Sequence, residues 1–497
     1  MARLAYALCL FLSLLSSAFA ASDAPSPSLV VRTTSGIFKG QSTGNGTDRW
    51  LGIPFAEPPV GSLRFKAPVA ITKASSNVKN AFTFGNACPQ APSDSLGAPI
   101  SEDCLFLNAR RTSYRCPNFK FTFSTQVFRP SGINSAQNLP VLVWFYGGAF
   151  MNGAASDPEF NPTSDIHWHS NYRVNTFGFL ASRHVPPEDL NAGLHDQQMA
   201  LAFLQENVAA FGGDPEKVTI WGQSAGAGSV EAHILFPPSK PSFRAAILDS
   251  STGPFKTAPP ASRYDDPGFP YALLLEKTGC PEGPESFVCL QRVPFELNEG
   301  TIFSQAVRNL SVPSAQENAA FDTFIKELLI DPSTVTQDVF DTINKLFPAN
   351  DSSLGGPFNT GDSLFDRAEA WYTDNMYLGP RRLFFDKAAS TQPLYAYHFR
   401  EFIPGQDPTL GVFHASELIL LFGAFPAVEQ QFAEQMADFY INFINDLDPG
   451  APWPRFTPNS KNELQLMRDN ITVIPDDFDL AKTTFLESTR VLAEFQK

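Results

Sequence analysis

Apolar residues along this chain follow two rhythms that alternate with one another. Pro140-Val-Leu-Val-Trp-Phe-Tyr146 is apolar on consecutive positions, as expected of a strand covered on both faces in a parallel sheet. The β-branched run Val218-Thr-Ile220 predicts another strand, as do Ala245-Ala-Ile-Leu248, Pro393–Phe399 and Cys104–Asn108. Leu29–Gly40 predicts a hairpin that turns at Ser35-Gly36, and Leu51–Pro59 an extended, proline-bounded segment. Between the strand signals, Gly193–Phe211 holds helix formers with Met199, Phe203 and Val208 apolar, and Gly212-Gly213 stops it. Phe432, Met436, Phe439 and Phe443 recur at helical spacing and mark one core-facing stripe. Strands alternating with helices imply an α/β fold around a mainly parallel sheet. No internal repeat, low-complexity tract or linker divides the chain, so residues 21–497 are expected to form a single domain.

Composition narrows the function classes. The 497 residues carry a formal net charge of −15 without a lysine or arginine run, which argues against nucleic acid and anionic membranes as partners. Met1–Ala20 has a basic Arg3, an apolar run through Leu15 and a small-residue end at Ala18-Phe-Ala20. It reads as a secretory signal cleaved after Ala20, and no later stretch is apolar for long enough to anchor the chain in a bilayer. Export agrees with glycosylation sequons at Asn45, Asn309, Asn350 and Asn470. Outside the leader are Cys88, Cys104, Cys116, Cys280 and Cys289. In an oxidising compartment the economical pairings are Cys88–Cys104 and Cys280–Cys289, with Cys116 left over. Zinc-type His/Cys spacing is missing from the sequence, and no metal or cofactor is expected.

The candidate chemistry centres on Gly222-Gln-Ser-Ala-Gly226, where a β-branched run meets small residues that open a helix. This is the form of a strand, a strained turn and a helix with Ser224 at the tip. A nucleophilic serine needs a base, an acid to orient it and donors for the oxyanion. Tyr146-Gly-Gly-Ala-Phe150 follows a buried strand and supplies small residues whose amides can approach a ligand. Among seven histidines, His414 in Gly411–Leu418 is the best base, and Glu299, followed by Gly300, the best acid. Their order along the chain, Ser, Glu, His, is the α/β-hydrolase order.

With these residues in view the sequence resembles the type-B carboxylesterases and lipases, the family of cholinesterases and secreted fungal lipases. The resemblance rests on Glu102-Asp-Cys-Leu-Phe-Leu-Asn108 and Gly213–Gly226, with Ile53–Gly61, Arg64-Phe65, Asn171-Tyr-Arg-Val-Asn175, Asn298-Glu-Gly-Thr301 and Phe413–Leu418 in family order. It implies the α/β-hydrolase fold, with Ser224 as nucleophile, His414 as base and Glu299 as the acid behind it. The oxyanion would lie on the amides of Gly148, Ala149 and Ala225. Arg64 and Glu102 would form a structural ion pair, and Cys88–Cys104 and Cys280–Cys289 two disulfides. The implied reaction is hydrolysis of a small-molecule ester through an acyl-enzyme.

Three stretches depart from the family pattern. Residues 109–126 intervene where a continuous strand should run into Val127-Phe-Arg-Pro130, and they read as a non-native insert such as a retained intron. Ser164–Ser170 is polar and too brief for the helix and strand expected before Asn171. Val293-Pro-Phe-Glu296 runs straight into Leu297-Asn-Glu299, so the strand that should present Glu299 is missing. One or two sheet strands are therefore expected to be lacking. Two rival readings are a non-catalytic cholinesterase-like recognition protein, or inactive variant, and a serine peptidase. The Cys88–Cys104 loop has no tryptophan, so choline esters are not expected, and esters of short or medium chains are favoured over long triglycerides.

Overall fold

The computed structural model describes residues 29–43, 47–112, 138–160, 168–251, 258–293, 312–354, 360–422 and 425–495. Val30–Thr33 (β1) and Gly36–Lys39 (β2) form the expected hairpin, turning one residue earlier than expected, at Thr34-Ser35. The central strands are Gln41–Ser42 (β3), Thr47–Pro54 (β4), Phe106–Thr112 (β6), Leu139–Phe145 (β7), Trp168–Ser170 (β8), Gly213–Gln223 (β9) and Ala245–Asp249 (β10); Val78–Asn80 (β5) joins the hairpin instead. They form one seven-stranded sheet in the order β10-β9-β7-β8-β6-β4-β3. Strands β10, β9, β7 and β8 pair in parallel, while β6, β4 and β3 add antiparallel strands on the other side.

The consecutive apolar run in β7 has the meaning expected of it, because alternate side chains serve opposite faces. Val141, Val143 and Phe145 pack with Leu201 and Leu204 of the helix Ala192–Asn207 (α1) and Val230 of the helix Ala225–Leu235 (α2). Leu142 and Trp144 face the other way, onto Trp221 and the Phe432, Met436 and Phe439 stripe of the helix Gln430–Asp446 (α3). Trp144 is wholly buried, with its ring 4.5 Å from Trp221 and 5.4 Å from Phe422. Trp144→Ala should lower unfolding stability by about 3–5 kcal/mol, read as a shift in the denaturant midpoint; an unshifted midpoint would contradict this packing.

The departures in the sequence leave visible marks. β6 continues through Thr112 and pairs with β4 from Pro54↔Phe106 to Thr47↔Thr112, so residues 109–112 extend a strand, and 113–126 lie outside the described residues. Between β7 and Asn171 a strand does form, contrary to the expectation that the segment is too brief. It is only Trp168–Ser170, and it closes the sheet between β7 and β6. A three-residue strand suffices because both neighbours supply the ladder.

On the other side the last described strand of the sheet is β10. Pro393–Phe399 splits at Ala396 into Leu394–Tyr395 (β11), which pairs with Arg455–Phe456 (β13), and Tyr397–Phe399 (β12). β12 belongs to a separate sheet with Asn462–Leu466 (β14) and Thr472–Pro475 (β15). β10 and β12 face each other across a cavity of about 940 Å³ lined by Ile247, Phe243, Phe399, Phe385, Tyr377 and His414. Consistent with an edge position, four of the five β10 residues are only half-buried. Among the described residues no strand occupies that gap, and residues 294–311, with Glu299, lie outside them.

Both expected disulfides are present, Cys88–Cys104 and Cys280–Cys289; Cys116 lies outside the described residues. Arg64 and Glu102 form a two-pronged ion pair. Asn350 and Asn470 are exposed, as glycosylation would require, while Asn45 and Asn309 fall outside the described residues. No described helix is long and apolar enough to cross a membrane.

Candidate active site

The turn between β9 and α2 is tight because two glycines let two elements touch. A Cβ on Gly222 would lie 2.3 Å from the Gly226 carbonyl carbon, and one on Gly226 would lie 2.0 Å from the Phe145 oxygen at the end of β7. Between them Ser224 takes φ 56° and ψ −124°, a backbone state that costs a non-glycine residue on the order of 1–3 kcal/mol. The turn is held by two backbone bonds, from Ser224 N to Asp249 O and from Gly228 N to Ser224 O, each 2.9 Å. Ser224 is not fully buried, so its hydroxyl is presented at the tip.

The segment after β7 lies directly on this turn. A Cβ on Gly147 would come 2.7 Å from Gln223 O and 3.0 Å from the Ser224 Cβ. Gly148, Ala149 and Phe150 then all adopt positive φ, at 108°, 55° and 60°. The sharp reversal is tied off by Met151 and Asn152 amides donating to Gly148 O. Ala225 opens α2, and its amide has no carbonyl four residues back within the helix. Gly148, Ala149 and Ala225 are thus carried by two elements that meet at Ser224.

Several supports for this loop are not legible in the sequence. Tyr146 and Tyr172 stack with centroids 4.3 Å apart and exchange hydrogen bonds, the Tyr146 hydroxyl donating to Tyr172 O at 2.7 Å and the Tyr172 hydroxyl to Tyr146 O at 2.6 Å. Arg173 donates to both Asp196 oxygens, at 2.8 and 2.7 Å, with the pair buried, which ties Asn171–Asn175 to α1. Gln90 clamps Gly153 through its amide group in both directions, at 2.9 and 2.8 Å. The Asn171–Asn175 motif marks Tyr172 and Arg173 without showing what they bond; nothing marks Gln90 or Asp196 in advance.

His414 reaches the elbow from the Gly411–Glu417 segment. Its Nε2 lies 3.1 Å from Nε2 of Gln223, the residue before Ser224. The amide donates here when the imidazole carries its own proton on Nδ1, the tautomer that leaves Nε2 as the basic atom. The ring also lies 4.7 Å from Tyr377. The surrounding protein disfavours the imidazolium and pushes the His414 pKa down, although the side chain keeps solvent-exposed surface that limits the effect. The resting histidine is therefore neutral at pH 7. Glu299 lies outside the described residues, so its distance to Nδ1 is not part of this geometry.

Beneath the elbow is a group of residues that no sequence motif singles out. Asp249, at the end of β10, is completely buried. Its Oδ2 accepts from Trp221 Nε1 at 2.6 Å, and its Oδ1 from the Tyr397 and Tyr440 hydroxyls at 2.8 and 2.9 Å. Glu417, three residues past His414, is also buried. Burial raises both carboxyl pKa values, and the charge of Asp249 raises that of Glu417 further. Nearby, Ser251 donates to Glu231, whose carboxyl burial pushes up to about 7.

Comparison with known proteins points the same way as this geometry. Residues 27–299 and 297–482 match the carboxylesterase family. The chain is 29% identical over 511 residues to lipase 4 of Diutina rugosa, covering 85% of this chain and 88% of that one. It is 29% identical over 569 residues to secreted lipase 1 of Botryotinia fuckeliana, covering 92% of each. It is also 28% identical over 512 residues to the para-nitrobenzyl esterase of Bacillus subtilis, covering 90% and 96%. A strained serine between a β-strand and a helix, small residues folded over it, and this coverage of the matched family lead to one conclusion: the chain belongs to the carboxylesterase family and is a carboxylic ester hydrolase of the α/β-hydrolase fold.

Proposed function

We propose that the protein is secreted and hydrolyses small-molecule esters with Ser224 as nucleophile, His414 as general base and Glu299 as the acid that orients the histidine. The observation that carries this reading is the meeting at Ser224 of the positive-φ turn, the Gly147–Ala149 loop and the Gln223 to His414 contact. His414 Nε2 takes the Ser224 proton as Oγ attacks the ester carbonyl, and the amides of Gly148, Ala149 and Ala225 receive the oxyanion. Collapse of the tetrahedral adduct expels the alcohol, which leaves with the proton from His414. Water then repeats the sequence on the acyl-enzyme and frees the acid. Secretion is supported by the Met1–Ala20 pattern, the two disulfides, the exposed sequon residues Asn350 and Asn470, and a relative named as a secreted lipase.

A reactive alkyl phosphonate tests the nucleophile directly, because only an activated serine displaces its leaving group. Mass spectrometry of the digested protein should find the phosphonyl adduct on the peptide carrying Ser224, with hydrolysis of p-nitrophenyl butyrate lost in proportion. An adduct elsewhere, or full labelling with hydrolysis intact, overturns the assignment. A series of p-nitrophenyl esters of rising chain length then separates the esterase reading from the lipase one.

A further inference from the structure

We propose that Asp249 and Glu417 are positioning residues for Ser224 and His414: two buried carboxyls, one on each catalytic element, that keep the nucleophile turn and the histidine segment in register. This rests on the reading of Ser224 and His414 as nucleophile and base. Asp249 touches the turn through its backbone, since its carbonyl receives the Ser224 amide at 2.9 Å and it stands opposite Gln223 in the β9–β10 ladder. Glu417 belongs to the same short segment as His414, which is braced by bonds from Ser416 N to Phe413 O and from Leu420 N to Glu417 O. Each carboxyl therefore sits on the backbone of one catalytic element.

The chemistry of the surroundings divides the roles. Asp249 meets three donors, an indole N–H from β9, a phenol from β12 and a phenol from α3, and donors stabilise the ionised form. Glu417 Oε1 is buried without a hydrogen-bond partner among the described residues, which favours the neutral acid. Trp221, Tyr397 and Tyr440 bond Asp249 from β9, β12 and α3, and none of the three is cationic. Of the basic groups that line the cavity with Glu417, Arg381 and His398 are held by Glu463, and Arg244 donates to Ile444 O. A second negative charge would thus meet the first at low dielectric, with no counter-ion among the three groups that bond Asp249. The single charge has a use, because it sits beneath the turn beside which the imidazolium of His414 forms during catalysis.

The pH consequences have a definite sign. Glu417 holds its proton more tightly in the folded chain than in the unfolded one, so the folded state binds more protons between the ordinary carboxylate range and the raised value. Stability is fully present below that window and declines as pH rises through it. The proton goes to bulk water, and the charged pair drives the two elements apart. Catalysis then falls on the alkaline side by about tenfold per pH unit above the point where the pair ionises, whereas the low pKa of His414 confines its own effect to acid.

The test uses the full-length secreted protein with Glu417→Gln and Asp249→Asn, assayed on p-nitrophenyl butyrate, with kcat, KM and melting temperature followed from about pH 5 to about pH 9.5, a range that spans the raised carboxyl values. Glu417→Gln, neutral at every pH, should remove the alkaline fall in kcat and flatten the decline of melting temperature that wild type shows. Asp249→Asn, which turns an N–H toward donors, should lower kcat by roughly 10- to 100-fold with KM within about threefold. If Asp249→Asn does not fold, the Glu417→Gln profile decides alone. A Glu417→Gln profile that coincides with wild type, or an Asp249→Asn loss carried by KM, overturns the proposal. Should hydrolysis fail to depend on Ser224, the functional reading falls, while the melting-temperature series still tests the pair.

Discussion

Ser224→Ala should lower kcat for p-nitrophenyl butyrate by about 10⁴- to 10⁶-fold while leaving the folded protein intact. The hydroxyl alone carries the nucleophilic step. The serine backbone at φ 56° is held by bonds to Asp249 O and from Gly228 N, neither of which involves the hydroxyl. Alanine bears the same left-handed strain as serine, so the substitution removes Oγ without changing the energy of the turn. Melting temperature and circular dichroism should therefore match wild type, and phosphonate labelling should disappear together with turnover. Residual hydrolysis at more than about one part in 10³ of wild type would show that another group performs the attack. Because Gly148, Ala149 and Ala225 stay in place, a small background above uncatalysed hydrolysis is expected to remain.

The elbow is legible in the sequence because its determinants are local. Gly222, Ser224 and Gly226 lie within five residues, and a Cβ on Gly222 is excluded by Gly226 itself, although the one on Gly226 meets the distant end of β7 at Phe145 and Tyr146. β7 is legible for a similar reason: a run apolar on every residue has only one economical place in a sheet. Phe432, Met436 and Phe439 of the α3 stripe likewise follow from spacing alone, whereas the fourth member, Phe443, is only half-buried and stays outside that core cluster. The supports of the site are of another kind. Tyr440 reaches Asp249 across 191 positions, and Arg173 finds Asp196 on a different element. Each is an ordinary polar residue until the fold brings its partner, and no periodicity announces that. β8 escapes a reading of the sequence because a strand that short takes its stability from neighbours on both sides rather than from its own composition. The shortness of the segment before Glu299 is read, in contrast, from chain length alone, and residues 294–311 lie outside the described residues.

Gly226→Ala should be among the most damaging single substitutions available, costing about 4 kcal/mol or more and in the extreme preventing recovery of folded protein. The added methyl would stand 2.0 Å from Phe145 O and 2.8 Å from both Phe145 C and Tyr146 O. These are backbone atoms at the end of β7, which pairs with β8 on one side and β9 on the other, so they cannot withdraw without breaking two ladders. The alternative is for α2 to move away, which would carry Ala225 and its amide off the site and release the Ser224 turn. The loss should therefore appear twice: in the denaturant midpoint, and in a kcat reduced more than the folded fraction accounts for. Gly283→Ala supplies the control. That residue has a positive φ of 109°, and nothing lies within 4 Å of the place its methyl would take, so its cost is conformational strain alone, about 1 kcal/mol. The difference between the two isolates the contact of β7 with α2. Equal stability of the two variants would mean that strand and helix do not touch, and the Gly148 and Ala149 amides would then lose their claim to the space above Ser224.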